Sequence, residues 1–443
     1  MFKTLRNAWK ISELRSKILF TLLIIALYRI GTAIPVPFTD YSVLLSTGAS
    51  NVFTTGVFGY LDILSGGALS SATLFALSVT PYINAQIIIQ LLTVAIPALE
   101  RWSKDGDAGR KKIERLTRYL TVALSVITSI GYYAIMSQLG VVVSSDVNRF
   151  FQAAVIVLTF TAGGCIVMWL GEKIDEQGIG NGISMILFAN IVAALPGNII
   201  TYIRSLSGNA DVATWLKWVL GIGTLLIIVA SLVFVIYMSD AERRIPVQYA
   251  KRVVGRKMYG GQSSNLPIKL NMSGVMPVIF ASTSVSVVPT ILSIVETARG
   301  TAFAEGSFWG VVKSLFSSTS ALYIILLFVL IIAFAYFYIS ISFNPVEVSN
   351  NLMQQGGYIP GIRPGKPTAQ YITKVLNKVV LMGALFLSVV ACVPHILNAV
   401  SGGLLGLISF SGTTLLIVVG VILETFRDLE AQMTMRHYKG FLE

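Results

Sequence analysis

Ten apolar, charge-poor segments constrain this chain more than any other feature, because each has the length of a membrane span. They run over roughly 18–36, 73–98, 119–138, 152–171, 183–203, 218–238, 273–295, 321–343, 376–396 and 404–424. A transmembrane helix needs about 20 apolar residues. Only 12% of the 443 residues are charged, against roughly 25% in soluble domains. The sequence predicts an all-α membrane protein with ten transmembrane helices, the first interpreted as a retained span rather than a removed signal peptide.

The basic residues predict the orientation of these spans. Cations concentrate in 1–17, 99–118 and 239–272, which alternation places on one side of a ten-span protein. Loops on the opposite side hold few cations, and the mixed-charge loop 172–181 departs from the pattern. Cytoplasmic loops carry the excess of Lys and Arg. We therefore expect both termini in the cytoplasm.

The order of the spans suggests two halves, 1–203 and 204–443. The second span of each half contains proline in a similar setting, SVTPYINAQ around Pro81 and GVMPVIFAS around Pro277. Five spans per half is an odd number, so the halves would run in opposite directions as an inverted repeat. The alternative, that prolines are simply common in membrane helices, stays open.

Three segments outside the spans are distinctive. The stretch LDILSGGALSSATLF at 61–75 is too broken to span and too apolar for a free loop. Two long polar loops, 239–272 and 344–375, lie on the predicted cytoplasmic side. The second contains QQGGYIPGIRPGKPTAQ, whose glycines and prolines exclude a regular helix. A rigid loop held out in this way favours a docking function.

Catalytic and ion-binding patterns are missing from the sequence. It contains no phosphate-binding motif and no nucleophile–base pair. Both cysteines, Cys165 and Cys392, lie inside predicted spans, where a disulfide is not expected. Neither histidine has metal-ligand spacing to other residues, so no metal or other cofactor is expected. Arg29 is the one deep charge, interpreted as a structural or snorkelling cation or, less simply, as a substrate ligand.

Seven motifs together resemble the SecY family, the pore subunits of the bacterial protein translocon. They are FALSVTPYINAQIIIQLL (75–92), GRKKIERLTRY (109–119), MWLGEKIDEQGIGNGIS (168–184), RRIPVQYAKR (243–252), SSNLPIKLNMSGVMPVIFAS (263–282), FNPVEVSNNLMQQGGYIPGIRPGKPTAQYI (343–372) and SGTTLLIVVGVI (411–422). The resemblance implies two inverted five-helix halves forming a clamshell around an hourglass pore. It implies a protein-conducting channel of the general secretory pathway, with no enzymatic activity of its own.

The resemblance also implies roles for individual residues. The pore ring would consist of Val79, Ile83, Ile183, Leu187, Ile279 and Ile417. A plug would occupy 61–71, including Asp62, Leu64, Gly66, Gly67 and Leu69. We expect the two glycines to loosen the plug, and Asp62 and the serines to form its wet face. A narrow aliphatic ring cannot replace an ion's hydration shell, yet it can deform around a polypeptide. Ordinary helix packing is the alternative for every ring residue.

A lateral gate and a docking surface complete the implied machinery. Gate residues would be Pro81, Gln90, Asn271 and Pro277, the prolines easing helix bending and the two amides forming gate hydrogen bonds or plain interface contacts. Docking cations would be Arg243, Arg244, Lys251, Arg252, Arg256, Lys257 and Arg363, although some of them only enforce topology. Implied partners are SecE, SecG, the ATPase SecA, the ribosome, signal peptides and preproteins, and membrane lipids. The implied location is the bacterial plasma membrane. A secondary transporter for a small solute and a membrane-embedded enzyme remain the alternatives.

Overall fold

The computed structural model describes residues 2–40, 56–143, 148–208, 214–249, 252–254, 257–259, 263–299, 307–317, 320–400 and 406–439. Contacts divide the chain into two compact units. Unit 1 comprises Met1–Ala210, Ser286–Ser320 and Val421–Glu443, and unit 2 comprises Asp211–Val285 and Ala321–Gly420. This division by contacts is not the division into sequence halves at 203/204, which stays a prediction.

Helices dominate the described residues. The first eight are α1 Phe2–Lys10, α2 Ser12–Gly31, α3 Gly56–Ser65, α4 Thr80–Ala95, α5 Pro97–Lys104, α6 Gly106–Gln138, α7 Arg149–Gln177 and α8 Gly182–Gly208. The remaining helices are α9 Thr214–Asp240, α10 Met276–Arg299, α11 Phe308–Leu315, α12 Ala321–Ser342, α13 Pro345–Gln354, α14 Lys366–Val400 and α15 Gly406–Lys439. By length and composition, five described helices can cross a membrane, or six if the bent pair α4 and α5 is one span. The count of ten spans therefore stays a prediction.

The second predicted span, 73–98, differs from the observed structure at both ends. Residues 66–79 form turns, and α4 begins only at Thr80. Side chains in this stretch bind backbone groups, as Thr73 Oγ1 does to the Ala68 carbonyl at 3.2 Å, and such bonds compete with a helix. At the other end, α4 and α5 meet at 102°, because Pro97 starts a new helix.

The predicted polar loop 239–272 contains four antiparallel strands, which the all-α prediction did not include. They are β1 Glu242–Tyr249, β2 Arg252–Val254, β3 Lys257–Tyr259 and β4 Ser263–Lys269. Strands β2 and β3 pair with each other in a separate two-stranded sheet. Strand β1 pairs with β4 and with a short strand β5, Gly357–Tyr358, in the order β4-β1-β5. Apolar and polar residues alternate along β1, so Ile245 and Val247 are buried while their neighbours are exposed.

The predicted loop 344–375 is also more regular than expected. Helix α13 occupies 345–354, where Asn344 caps it by accepting hydrogen bonds from the Val346 and Glu347 backbone N–H groups. Helix α14 begins at Lys366. Only the stretch 355–365, which contains most of the glycines and prolines, is irregular apart from the two residues of β5.

Small residues allow the turns of 66–79 to pack tightly within unit 1. A Cβ on Gly163 of α7 would lie 1.9 Å from the Leu74 carbonyl oxygen, and one on Gly31 would lie 1.9 Å from the Phe75 ring. Leu69, Ala72 and Ala76 belong to a buried cluster with α6 and α7 residues such as Tyr132 and Phe160. Glycine at helix interfaces permits such close approach in membranes.

We expect Gly163→Ala to lower the thermal stability of the detergent-solubilised protein. The added methyl overlaps the Leu74 carbonyl, and such overpacking costs about 1–3 kcal/mol. Gly223→Ala in α9 is the control, since no atom lies within 4 Å of its added Cβ. Melting followed by size-exclusion chromatography should show a loss for the first variant only. Equal melting of both variants would contradict the packing described above.

Candidate functional site

The segment 61–71, hereafter the plug segment, has a defined conformation. It comprises the last turn of α3 followed by a turn in which Gly66 and Gly67 adopt φ of 70° and 87°. Glycine reaches this left-handed region without steric cost. The two glycines therefore specify a sharp turn, and the prediction that they loosen the segment stays a prediction.

Side chains of the plug segment bind its own backbone. The Asp62 carboxylate accepts a hydrogen bond from the Ser70 N–H at 2.8 Å, and the Ser65 hydroxyl accepts one from the Leu69 N–H at 3.1 Å. Burial raises the pKa of Asp62, and the Ser70 N–H acts in the opposite direction. Ser65 is only 1% exposed. Asp62 and Ser65 therefore organise the turn. Asp62, Ser70 and Ser71 are only partly buried, so a wet face formed by Asp62 and the serines stays a prediction.

Neighbouring helices bind the carbonyls of the plug segment. Asn190 of α8 donates from Nδ2 to the Leu64 carbonyl at 2.8 Å and to Tyr28 Oη at 2.9 Å. The Tyr132 hydroxyl of α6 donates to the Leu69 carbonyl. These long-range bonds fix both ends of the turn within unit 1.

The predicted ring residues are all buried, and all are aliphatic. Val79 immediately precedes α4, and its carbonyl accepts from the Ile83 N–H at 3.0 Å. Ile183 and Leu187 share one face of α8 by their i,i+4 spacing, and a Cβ on Gly171 would lie 2.5 Å from Ile183 Cδ1. Ring residues in unit 2 are Ile279 on α10 and Ile417 on α15, 4% and 1% exposed. Their joint role as a ring stays a prediction.

One platform in unit 2 carries docking candidates from both polar loops. It consists of β1, β4 and β5 with the turn 359–365, and is called the sheet platform below. Gln248 of β1 pairs with Tyr358 of β5. Ile245 and Val247 share a buried cluster with Ile359. The sheet therefore joins two loops that lie about a hundred residues apart in the chain.

The turn of the sheet platform fixes the backbone of Arg363. The Thr368 hydroxyl donates to the Arg363 carbonyl at 2.8 Å, and the Ser349 hydroxyl donates to the Gly365 carbonyl at 2.9 Å. Gly361 and Gly365 lie on either side of Arg363 in the chain, with φ of 83° and 93°. The Arg363 side chain itself is exposed, so a pre-positioned cation faces outward.

Comparison with known proteins identifies the family. The SecY family model matches residues 73–426. The protein translocase subunit SecY of Streptomyces scabiei is 43% identical, with 100% of each chain covered. That of Corynebacterium glutamicum is 41% identical over 99% of each chain. The chain belongs to the SecY family.

Solved structures of the family show the same fold. A protein-conducting channel superposes with a TM-score of 0.65 at 16% identity, covering 95% of this chain and 92% of that one. Sec61 in the canine ribosome–channel complex from the endoplasmic reticulum gives 0.61 at 14% identity, with the same coverage. At these identities the likeness concerns the fold alone.

The structure places the gate candidates differently from the expectation. Pro81 stands in the first turn of α4, and Pro277 is the second residue of α10. A proline there removes no helical hydrogen bond, so both begin helices and the bending role is wrong. Gln90 is half-buried on α4. Asn271 lies in the turn before α10, and its buried Oδ1 has no hydrogen-bond partner in the part of the chain that the structure describes.

The basic docking residues are only partly described. Arg243 and Arg244 are exposed on β1, and Arg244 pairs with Glu242 at 2.6 Å. Arg252 and Lys257 begin β2 and β3. Lys251 and Arg256 lie outside the described residues. Within the described ranges, no group of three or more His, Cys, Asp or Glu side chains is arranged to hold a metal ion.

Sequence reasoning missed four polar residues around the plug segment, namely Tyr28, Ser78, Tyr132 and Asn190. The Ser78 hydroxyl donates a hydrogen bond to the Leu64 carbonyl at 3.3 Å and accepts one from Asn190 Nδ2 at 3.2 Å. Asn190 is fully buried within a predicted span. A buried amide within a predicted span was a signal in the sequence, because polar groups in membrane helices need internal partners.

We expect Asp62→Ala to speed amide hydrogen exchange at Ser70. The variant removes the acceptor of the Ser70 N–H, and about 1.4 kcal/mol of lost bonding corresponds to about tenfold faster exchange. Asp62→Asn is the control, since its Oδ1 can still accept the bond. Exchange mass spectrometry of peptides covering 66–71 would contradict the turn geometry if both variants matched the unmodified chain.

Proposed function

We propose that the chain is the pore-forming subunit of a protein translocase. It would pass unfolded preproteins across the membrane and release transmembrane segments sideways into lipid. The observation that carries this proposal is full-length similarity at 40–43% identity to proteins named protein translocase subunit SecY. The matches cover 97–100% of the chain, so the same fold would serve the same task.

The aliphatic ring candidates suit this substrate class. A protein channel must accept every side chain in turn, and apolar contacts are non-directional. A narrow apolar constriction also dewets, which opposes ion flow when no chain is present. Charged ring residues would instead bind ions and select among passing segments.

The sheet platform supports docking of an external motor. A passive pore needs an energy source, and exposed arginines on a fixed backbone suit anionic partners such as ribosomal RNA. One structural relative is Sec61 in a ribosome–channel complex. We propose SecA and the translating ribosome as partners at this platform, and SecE and SecG as companion subunits. The basic loops favour an orientation with both termini in the cytoplasm, and similarity to bacterial SecY subunits favours the plasma membrane.

A secondary transporter for a small solute is the competing function. Ion-coupled transporters carry ionisable residues near the bilayer midplane, and the predicted spans contain few. No observation favours an enzymatic role.

Reconstitution would test the proposal directly. The chain, incorporated into vesicles with SecE and SecG, should protect a signal-bearing preprotein from external protease when SecA and ATP are added. Omission of ATP is the control. Solute uptake by the chain alone, with no preprotein protection, would favour the transporter instead.

We expect Arg363→Glu to reduce SecA-driven protection about tenfold, equivalent to about 1.4 kcal/mol of docking free energy. The reversed charge opposes an anionic partner, while the backbone bonds of the turn remain. Lys374→Glu is the control, because Lys374 is an exposed cation on α14 outside the platform turn. Membrane insertion and SecE assembly should be normal in both variants. Normal transport by the Arg363 variant would contradict the docking role proposed for Arg363.

A further inference from the structure

Arg29 is a cation on a membrane helix that binds backbone carbonyls. In the described part of the chain, no carboxylate lies within 4.0 Å of it. Its guanidinium donates to the Ala189 carbonyl at 2.7 Å and to the Asn190 carbonyl at 3.4 Å. A charge in this setting is costly and needs a compensating role. Snorkelling does not explain the position of Arg29, because its guanidinium binds α8 carbonyls instead of extending toward the membrane surface.

The Arg29 guanidinium also lies close to the C-terminal end of α3. A Cβ on Gly66, the residue after α3, would lie 2.9 Å from both terminal nitrogens of Arg29. The same point lies 3.0 Å from Asn190 Oδ1. Helix C-termini carry partial negative charge and unpaired carbonyls. Arg29 thus places a positive charge where α3 ends.

Asn190 completes this arrangement from α8. Its Nδ2 lies within 3.2 Å of the Leu64 carbonyl, Tyr28 Oη and Ser78 Oγ. Two N–H groups serve these three acceptors. Among the described residues, its buried Oδ1 has no hydrogen-bond partner. The amide is therefore oriented by the plug segment, and its orientation depends on the carbonyl of Leu64.

Backbone strain accompanies these contacts. Ala72 and Ser78 both have φ of 49°, a left-handed conformation that side chains disfavour. Such strain persists only where surrounding contacts over-determine it, at about 1–3 kcal/mol each. Ser78 is itself a partner of Asn190 and of the Leu64 carbonyl. The strained stretch and the polar contacts therefore depend on each other.

We propose that Arg29 and Asn190 form a catch that holds the C-terminal end of α3 in place and so sets how readily the plug segment leaves. The proposal rests on the proposed function and on the expectation, implied by the family resemblance, that residues 61–71 close the channel as a plug. Arg29 and Asn190 are positioning residues, because they act on the pore through the plug segment. Displacing α3 would break the hydrogen bond between Asn190 Nδ2 and the Leu64 carbonyl. It would also remove Gly66 from beside the Arg29 guanidinium.

Potassium conductance of vesicles containing the chain with SecE and SecG tests the catch. We expect Arg29→Ala to raise conductance about tenfold, and Arg29→Lys to fall between it and the unmodified chain, since one ammonium can still bind the Ala189 carbonyl. Gly66→Ala should also raise conductance, because its Cβ displaces the guanidinium. Gly140→Ala is the matched control, with the same φ of 70° and no atom within 4 Å of the added Cβ. It should leave conductance unchanged.

Deletion of 61–71 separates a catch from general destabilisation. The deletion alone should raise conductance, and adding Arg29→Ala to it should have no further effect, because the catch has nothing left to hold. Additive effects, or unchanged conductance in both Arg29→Ala and Gly66→Ala, would overturn the catch alone. Unchanged conductance after the deletion itself would overturn the plug role and the catch together. ATP-driven preprotein protection, measured on each sample, reports separately whether the proposed function holds.

Discussion

The backbone polar groups of residues 66–79 govern this structure, because they lie outside any helix in a protein built for the membrane. Unpaired N–H and C=O groups cost several kcal/mol away from water. Partners come both from within the stretch, as in the bond from the Thr73 N–H to the Ala68 carbonyl at 3.2 Å, and from the rest of unit 1. The Leu74 N–H binds the Ile34 carbonyl at 2.9 Å, and the Val36 N–H binds the Ala72 carbonyl at 3.1 Å. Asp62 accepts from the Ser70 N–H, and Tyr132 donates to the Leu69 carbonyl.

The same constraint explains why the pore-ring candidates are aliphatic whereas the side chains packed behind them are polar or aromatic. Val79 and Ile83 offer only aliphatic surface, and their burial leaves no polar group to satisfy. One residue earlier, Ser78 carries a hydroxyl that contacts Tyr28 Oη at 3.3 Å. Tyr28 in turn stacks on Phe75 with ring centroids 5.4 Å apart. Polar contacts thus fix the non-helical stretch through Ser78 and Tyr28. The aliphatic side chains of Val79 and Ile83 make no such bonds and are free to contact a moving polypeptide in the proposed function.

Composition was sufficient to predict the membrane class, and the motifs were sufficient to indicate the family and the aliphatic ring candidates. Both failed where distant residues decide the conformation. Asn190 and Leu64 are 126 positions apart, and Arg29 and Ala189 are 160 apart, so no local pattern links them. Pro81 looked like a kink because the span seemed to begin at residue 73, whereas side-chain bonding delays α4 to Thr80. The sheet was missed because short strands in a basic loop resemble any polar connection, and β5 contributes only two residues.

If residues 61–71 act as the proposed plug, their contacts must hold them firmly enough to seal and loosely enough to leave. Each hydrogen bond to the plug segment contributes about 0.5–1.5 kcal/mol net, so two or three of them hold it without locking it. Strain at Ala72 and Ser78 opposes them by a comparable amount. Burial of Leu64 and Leu69 adds to the hydrogen bonds, so displacement of the plug segment would also expose apolar side chains.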